Sequence, residues 1–153
     1  MNQNNRKMAY SYKYPRPALT VDAVVFRNES GKTELLLIQR KNPPYKEEWA
    51  LPGGFVDMDE TLETAVNREL LEETGLNNIL LKQMHAFSTP GRDPRGHTIS
   101  VVFMGILKDG QTVKAGDDAQ NAEWFDIRKL PKLAFDHQDV VDMAINNIDL
   151  LIK

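Results

Sequence analysis

Three glutamates in one short segment are the side chains of this sequence best suited to chemistry. Glu69, Glu72 and Glu73 lie in the run RELLEETG, which ends at Gly75. On a helix that turns about 100° per residue, Glu69 and Glu73 fall within roughly 20° of Leu62, in the middle of the apolar stripe. Like charges at this spacing repel each other, and burying them without a partner costs free energy. The cluster therefore predicts a bound cation, and carboxylate ligands alone favour Mg²⁺ or Mn²⁺ over zinc.

A helix has to hold these glutamates on one face. Asp57 and Asp59 are its candidate N-caps, and Gly75 is placed to end it. A solvated acidic face paired with Arg68 is the alternative, and for an arbitrary charge run it is the more common outcome. The apolar register on the same face and the glycines on both sides favour the metal site here.

Apolar and β-branched segments on either side of this helix are typical of strands. We expect strands near 19–26, 34–40, 79–87, 98–107 and 123–127, a candidate short strand at 49–51, and a final amphipathic helix over 138–151. Strands before and after a central helix, with a second helix at the end, predict an α/β fold in which one mixed sheet lies between helices. Residues 1–16 are expected to form an extended arm, and 17–153 a single domain.

The composition excludes several classes of site and partner. There is no cysteine, which excludes disulfides, thiolate metal sites and cysteine nucleophiles, and three scattered histidines are too few for a histidine cluster. The net charge of -3 argues against binding long nucleic acids, whereas a small polyanion bound through a metal ion suits an acidic protein. No apolar run approaches the roughly 18 residues of a membrane span, and no apolar stretch after the polar start resembles a secretion signal. We therefore expect a cytoplasmic protein.

The segment GFVDMDETLETAVNRELLEETGL resembles the Nudix box at every defining position. The box specifies nine residues at fixed spacing within 23 positions, which makes a chance match very improbable. The matching residues are Gly54, Glu60, Arg68, Glu69, Leu70, Glu72, Glu73, Gly75 and Leu76. The order of the strands around the box is similar too, so the resemblance implies a Nudix-type α/β/α sandwich with a mixed β-sheet.

The resemblance also implies a metal site. In the family, the glutamates that match Glu69, Glu72 and Glu73 bind Mg²⁺ or Mn²⁺, helped by a backbone carbonyl just before the box, here that of Gly53. Such metals neutralise charge on a diphosphate and lower the pKa of an attacking water. Glu69 and Glu72 are also candidates for a catalytic role beside the metal.

Four further box residues are expected to be structural: Gly54, Glu60, Arg68 and Gly75. The resemblance implies that Glu60 and Arg68 form an ion pair that orients the loop against the helix. A direct catalytic role for this pair is the alternative.

Family members commonly draw one more acid from a loop downstream, as a ligand or general base. The candidates are Asp117 and Asp118 in AGDDAQNAEW, with Glu123 less favoured because it begins a strand. A surface loop that is merely rich in aspartate is an equally good interpretation.

Residues outside the box resemble the ADP-ribose pyrophosphatases of the family. Pro90 lies fifteen residues after Gly75, and the stretches FSTPGRDPRGHTISVVF, LTVDAVVF and LAFDH are similar to those of bacterial ADP-ribose-type proteins. The resemblance implies that the substrate is a nucleoside diphosphate derivative, with ADP-ribose, cleaved to AMP and ribose 5-phosphate, as the leading candidate.

Three arginines are candidate substrate-binding residues. Arg92 and Arg95 lie in the loop after Pro90, and Arg40 ends the second strand, so each could make forked contacts to phosphate or ribose. A solvent-facing turn is the alternative for the loop arginines. His137 of LAFDH is a substrate contact, a helix cap or a packing residue.

Other functions and an oligomer stay open at this point. A pyrophosphatase for nucleoside triphosphates or dinucleoside polyphosphates would keep the chemistry and change the substrate. A non-catalytic ADP-ribose sensor is a different class; the regulators that resemble it carry a C-terminal winged helix, for which a chain ending at Lys153 leaves no room. Tyr10, Tyr12 and Tyr14 alternate in the sequence, so an extended arm would present all three on one side. We expect them to pack across a homodimer or to form a wall for adenine. A frayed terminus is the alternative.

Overall fold

β1 (Ala18–Glu29) is the longest strand and lies in the middle of the sheet. The computed structural model describes residues 9–152. The other strands are β2 (Lys32–Arg40), β3 (Trp49–Ala50), β4 (Gly53–Phe55), β5 (Lys82–Phe87), β6 (Thr98–Ile106) and β7 (Ala119–Asp126). The helices are α1 (Leu62–Thr74) between β4 and β5, α2 (His137–Asn146) after β7, and a short 3₁₀ helix (Ile148–Leu151).

The sheet is mixed, as the sequence predicts. Its order is β3-β2-β1-β6-β5; β1 and β6 run parallel, and the other pairs of strands are antiparallel. β1 and β2 pair only near their connecting turn, over 26–29 and 32–35. Farther from this turn, β1 pairs with β4 instead, and β2 pairs with β3. The two central strands therefore separate, and the turn at 51–53 lies in the gap.

Two hydrophobic cores cover the two faces of this sheet. One lies on the α1 side and includes Val21, Ala23, Val25, Ala65, Val66 and Leu70. The other lies on the α2 side and includes Val24, Phe26, Val102, Val140, Val141 and Ala144. Because side chains of a strand alternate between faces, β1 contributes to both cores. The α/β/α sandwich is confirmed.

The start of α1 differs from the prediction. The sequence favours Asp57 and Asp59 as caps, but the N-cap is Thr61, whose hydroxyl accepts a hydrogen bond from the Thr64 amide at 3.1 Å. Asp59 has a left-handed backbone, with φ of 62°, and the Asp57 amide donates to Glu60 at 3.0 Å. The loop is thus folded on itself before the helix begins, and this delays the helix to Leu62.

Other boundaries move by a few residues. β5 begins at Lys82 rather than at 79, because Ile79 and Leu81 pack into the α1-side core without joining the ladder. β7 begins at Ala119, inside the segment expected to be a loop, and the final helix is divided into α2 and the 3₁₀ helix. Within the described chain, no helix is long and apolar enough to cross a membrane.

The N-terminal arm is described in part. Residues 1–8 of the expected arm lie outside the described residues, and 9–17 contain neither helix nor strand. Tyr10, Tyr12 and Tyr14 are exposed, and the rings of Tyr10 and Tyr12 stack with centroids 6.4 Å apart. Arg16 lies over the Tyr12 ring at 3.9 Å.

Candidate active site

Glu73 is the most deeply buried acid of α1, with 5% of its surface exposed. Its Oε2 accepts a hydrogen bond from the Gly53 amide at 3.2 Å, across the gap between the separated strands. Burial, followed by the nearby charge of Glu69, raises the pKa of Glu73 to about 9. A carboxylate in this position carries a charge that one amide cannot compensate, and a bound cation would compensate it.

Arg68 holds the other acids of the box in place. Its guanidinium donates two hydrogen bonds to Glu60, at 2.7 and 2.9 Å, and one to the Phe55 carbonyl at 3.1 Å. It also donates to Glu69 at 2.8 Å and to Glu72 at 3.2 Å. The hydrogen bonds from Arg68 lower the pKa of Glu60, so that carboxylate stays charged. The geometry of Arg68 and Glu60 is that of an ion pair that fastens the β4–α1 loop to the helix.

The glycines of β4 lie close to β1 and to α1. A Cβ on Gly54 would lie 2.6 Å from Oε1 of Glu69, and a Cβ on Gly53 would collide with the Val21 carbonyl. At the end of the helix, Gly75 is left-handed, with φ of 75°, and its amide donates to the Leu71 carbonyl at 2.9 Å.

The acidic loop before β7 reaches the site through one of its two aspartates. Asp118 lines the same cavity as Glu73 and accepts a hydrogen bond from the Asn42 side chain at 3.2 Å. Asp117 does not line that cavity and lies beside Glu72, whose pKa is raised by burial and then by this neighbouring charge. Glu123 lies within β7 and does not line the cavity.

The three candidate arginines line the same cavity but differ in their ion-pair partners. Arg92 is almost buried, with 4% of its side chain exposed, and donates two hydrogen bonds to Asp136 at 2.9 and 2.7 Å. Arg95 pairs with Asp93 at 2.8 Å. Arg40 donates to the Pro44 carbonyl at 2.7 Å and forms no ion pair with any residue between 9 and 152. Arg40 therefore has the most freely available charge of the three.

Phe135 lies between two of these arginines, a contact that the sequence analysis missed. Its ring centroid is 5.0 Å from the Arg40 guanidinium and 5.6 Å from that of Arg95. Its backbone is left-handed, with φ of 54°, which is rare for an aromatic residue. Burial, and then the charge of Arg95, lower the pKa of Arg40.

A second missed group lies beneath the glycine turn. Asp22 is 7% exposed, accepts a hydrogen bond from the Ser100 hydroxyl, and lies 3.7 Å from Nε2 of His137. Nδ1 of His137 accepts a hydrogen bond from the Leu51 amide at 3.0 Å. The one available signal was an aspartate inside the apolar strand LTVDAVVF, because a charge is rare in a doubly buried strand.

These groups surround one cavity of about 330 Å³. Its charged lining comprises six acids and three arginines: Asp22, Asp57, Glu69, Glu73, Asp93, Asp118, Arg40, Arg92 and Arg95. Glu72 and Asp117 are the two predicted catalytic acids that do not line it. An excess of acid attracts a cation, and the arginines provide hydrogen-bond donors for an anion. The cavity is therefore suited to a metal ion together with a phosphorylated ligand.

The donor set fits a hard divalent metal in its chemistry. Carboxylate and backbone oxygens are the ligands that Mg²⁺ and Mn²⁺ prefer, and Glu73 supplies buried negative charge. No three histidine or acidic side chains in residues 9–152 are grouped closely enough to hold an ion by themselves. Glu69 and Glu72 are hydrogen-bonded to Arg68 instead.

Comparison with known proteins finds one matching family model and several proteins of similar sequence. A family model described as NUDIX domain matches residues 16–143. An ADP-ribose pyrophosphatase of Methanocaldococcus jannaschii is 49% identical over 128 residues, which cover 84% of this chain and 73% of that protein. An ADPR responsive transcriptional repressor of Acinetobacter baylyi is 36% identical over 140 residues, which cover 89% of this chain and 56% of the repressor.

Solved structures give the same fold. The NUDIX domain of Shewanella oneidensis NrtR complexed with ADP ribose has a TM-score of 0.82 at 32% identity, over 91% of this chain and 94% of that one. A MutT/nudix family protein from Enterococcus faecalis has a TM-score of 0.83 at 34% identity, over 92% of this chain and 65% of that one. This chain thus spans slightly less than two thirds of the E. faecalis protein and little more than half of the A. baylyi repressor.

Proposed function

This chain belongs to the Nudix family, and we propose that it hydrolyses ADP-ribose to AMP and ribose 5-phosphate with the help of Mg²⁺ or Mn²⁺. The observation that carries the proposal is the buried Glu73, held against the Gly53 amide in a cavity with both acids and arginines. The identity of the substrate is supported by the M. jannaschii relative, named as an ADP-ribose pyrophosphatase, and by the neighbour complexed with ADP ribose.

The metal ligands in this proposal are Glu69, Glu72, Glu73 and the Gly53 carbonyl. A divalent ion bound to them would draw negative charge from the diphosphate and make a water more acidic. The Gly53 amide donates a hydrogen bond to the Glu73 carboxylate, so the Gly53 carbonyl and that carboxylate are held close together as one unit. The Arg68 side chain donates hydrogen bonds to both Glu69 and Glu72, which limits where these carboxylates can move.

Proton transfer from the water needs a carboxylate. Glu69, Glu72, Asp117 and Asp118 are the candidates from the sequence. Glu69 and Asp118 line the cavity, so we propose them ahead of the other two. Asp118 lies in a loop that is anchored to Asn42 and to the Lys41 amide, and the same loop contacts the end of α1, where the Gly116 amide donates to the Glu73 carbonyl at 3.2 Å.

Substrate binding is assigned to the arginines according to their partners. Arg40 has hydrogen bonds to two carbonyls and no other hydrogen-bond acceptor among residues 9–152, and the Arg95 side chain is 41% exposed. These two arginines are proposed to contact the phosphates or riboses. Two of the three guanidinium nitrogens of Arg92 already donate to Asp136, so we propose that Arg92 mainly positions the loop that carries Arg95.

Two other functions are compatible with this site. A nucleoside triphosphate or dinucleoside polyphosphate pyrophosphatase would use the same acids. A sensor that binds ADP-ribose without cleaving it is favoured by the similarity to the A. baylyi repressor. The presence of all three box glutamates favours an enzyme over the sensor.

The test is a panel of substrates with purified protein and Mg²⁺. We expect kcat/KM for ADP-ribose to exceed that for NADH, flavin adenine dinucleotide, nucleoside triphosphates and dinucleoside polyphosphates. Glu73→Gln is expected to lower kcat by about 10²-fold or more, whereas Glu63→Gln, on the exposed first turn of α1, should leave kcat unchanged. Binding of ADP-ribose without turnover would favour the sensor, and unchanged turnover by Glu73→Gln would refute the site.

A homodimer and a cytoplasmic location are part of the same proposal. The exposed Tyr10, Tyr12 and Tyr14 are proposed to pack against a second copy or against adenine. Deleting residues 1–14 should weaken dimerisation or raise KM, and no change in either would refute this role. Cell fractionation tests the location.

A further inference from the structure

The motif LAFDH contains a buried histidine that the proposed chemistry does not use. His137 is the first residue of α2 and is 4% exposed. Its Nδ1 accepts a hydrogen bond from the Leu51 amide at 3.0 Å, so the ring hydrogen is on Nε2, which faces Asp22 at 3.7 Å. Burial lowers the pKa of His137, which keeps the ring neutral and able to accept.

The bond from Leu51 is the first of three that fix the glycine turn. The Pro52 carbonyl accepts from the Ala23 amide at 2.8 Å, and the Gly53 amide donates to Glu73 at 3.2 Å. The first two hold the turn to α2 and to β1, and the third joins it to α1. The turn that carries the proposed Gly53 ligand is therefore fixed from both layers of helix, and His137 is the side chain that reaches it from α2.

The start of α2 is itself held firmly. The Ala134 amide donates to the carbonyl of Trp49, in β3, at 2.8 Å. Asp136 receives two hydrogen bonds from the nearly buried Arg92. These contacts leave His137 little freedom, so its acceptor nitrogen defines where the Leu51 amide lies.

We propose that His137 is a positioning residue for metal binding. It holds the Leu51–Gly53 turn so that the Gly53 carbonyl and the Glu73 carboxylate can bind the same ion. This inference rests on the proposed function, because it requires a metal at Gly53 and Glu73. Removing the acceptor would leave the Leu51 amide buried without a partner, and the turn would shift to satisfy it. Partners of metal ligands affect metal affinity or activity by about 10- to 100-fold in other proteins.

Two variants of matched shape separate the hydrogen bond from packing. His137→Asn places an amide oxygen near the position of Nδ1 and keeps an acceptor for Leu51, whereas His137→Leu has a similar shape and no acceptor. The two leave similar space, so a difference between them reports the hydrogen bond to the Leu51 amide rather than the volume of the side chain. Where His137→Leu does not melt cooperatively, His137→Gln replaces it, since its amide lies one bond farther from the backbone and misses the Leu51 amide.

The measurement is Mn²⁺ binding followed by electron paramagnetic resonance, with a non-hydrolysable methylene analogue of ADP-ribose present. We expect His137→Leu to bind Mn²⁺ about 10-fold more weakly or worse, and His137→Asn to stay within about 3-fold of the wild type. Hydrogen exchange of the Leu51 amide should accelerate in His137→Leu alone. In steady-state assays at limiting metal, the kcat of His137→Leu should fall by a larger factor than its KM for ADP-ribose changes.

The outcomes distinguish the two proposals. Equal Mn²⁺ affinity of His137→Asn and His137→Leu, in folded protein, would overturn the positioning role and leave the proposed function intact. A wild type that takes up no Mn²⁺ would overturn the proposed function and this inference with it. An unchanged exchange rate of the Leu51 amide in His137→Leu would show that the bond does not fix the turn.

Discussion

Replacing Glu73 by glutamine should make the metal-free protein more stable. The folded state holds this carboxyl at a pKa of about 9, against an ordinary value of 4.5. A carboxyl whose pKa is raised by folding binds its proton more tightly in the folded state, so stability is lost as pH rises between these two values. The glutamine side chain of the variant keeps the acceptor for the Gly53 amide and carries no charge at any pH. The substitution therefore removes the cost and retains the hydrogen bond.

The magnitude follows from the pKa difference. One pKa unit corresponds to about 1.4 kcal/mol, and pH 7 lies about 2.5 units above the ordinary value, which gives a ceiling of about 3 kcal/mol. Water entry and local relaxation reduce this to about 1–2 kcal/mol, because buried sites respond as if their dielectric constant were near 20. For a chain of this length, the melting temperature should rise by roughly 2–8 °C.

Thermal melts in a chelator test this effect at several values of pH. The stability advantage of Glu73→Gln should be small at pH 5 and grow steadily towards pH 8.5. Adding Mn²⁺ with the methylene analogue should raise the melting temperature of the wild type and not that of the variant, because ligands stabilise only the state that binds them. Glu63→Gln is the control and should change stability by less than about 0.5 kcal/mol at any pH.

One result would refute the reasoning outright. If Glu73→Gln is no more stable than the wild type in chelator, or if its advantage shrinks as pH rises, then Glu73 is not an uncompensated buried charge. A cation at this position would then have no physical basis, whatever the activity of the variant.

Three further predictions concern other parts of the site. Arg40→Lys should raise KM for ADP-ribose about 10-fold with a smaller change in kcat, since a lysine cannot make the forked contact; an unchanged KM in steady-state kinetics would exclude Arg40 from binding. Gly54→Ala should lower activity with little change in the melting temperature, because its Cβ would lie 2.6 Å from Oε1 of Glu69 and would push that carboxylate aside; a crystal structure with Glu69 unmoved would contradict this. Thr61→Ala should cost about 1 kcal/mol in urea unfolding through loss of the cap to Thr64, with kcat unchanged.

The fold was predictable because its signals are local. The apolar runs of β1, β2 and β6 and the register of α1 all follow from residues close together in the chain. The cap at Thr61 was missed, because the left-handed Asp59 and the Arg68 contacts of the loop are set by tertiary structure. The late start of β5 has a similar cause. Ile79 is buried, and in the sequence a buried apolar residue outside a strand looks the same as one within a strand.

The candidate site divides in the same way. The glutamates of α1 share one helix, so their spacing alone places them together. Asp22, Ser100 and His137 lie on three elements that are distant in sequence, and the parallel pairing of β1 with β6 brings the first two into contact. Phe135 could not be assigned either, because its position between two arginines depends on a left-handed backbone that no local residue pattern signals.

The charges around the cavity imply that its two ligands bind cooperatively. Glu73 and Glu69 favour a cation, but a cation alone would increase the positive potential that Arg40 and Arg95 already impose on each other. A diphosphate alone would meet the acids of α1. Each ligand removes the repulsion that opposes the other, so ADP-ribose should increase metal affinity and the metal should increase ADP-ribose affinity by the same factor, as thermodynamic linkage requires. A family member that binds nucleotide equally well with and without metal would need a different distribution of charge from the one found here.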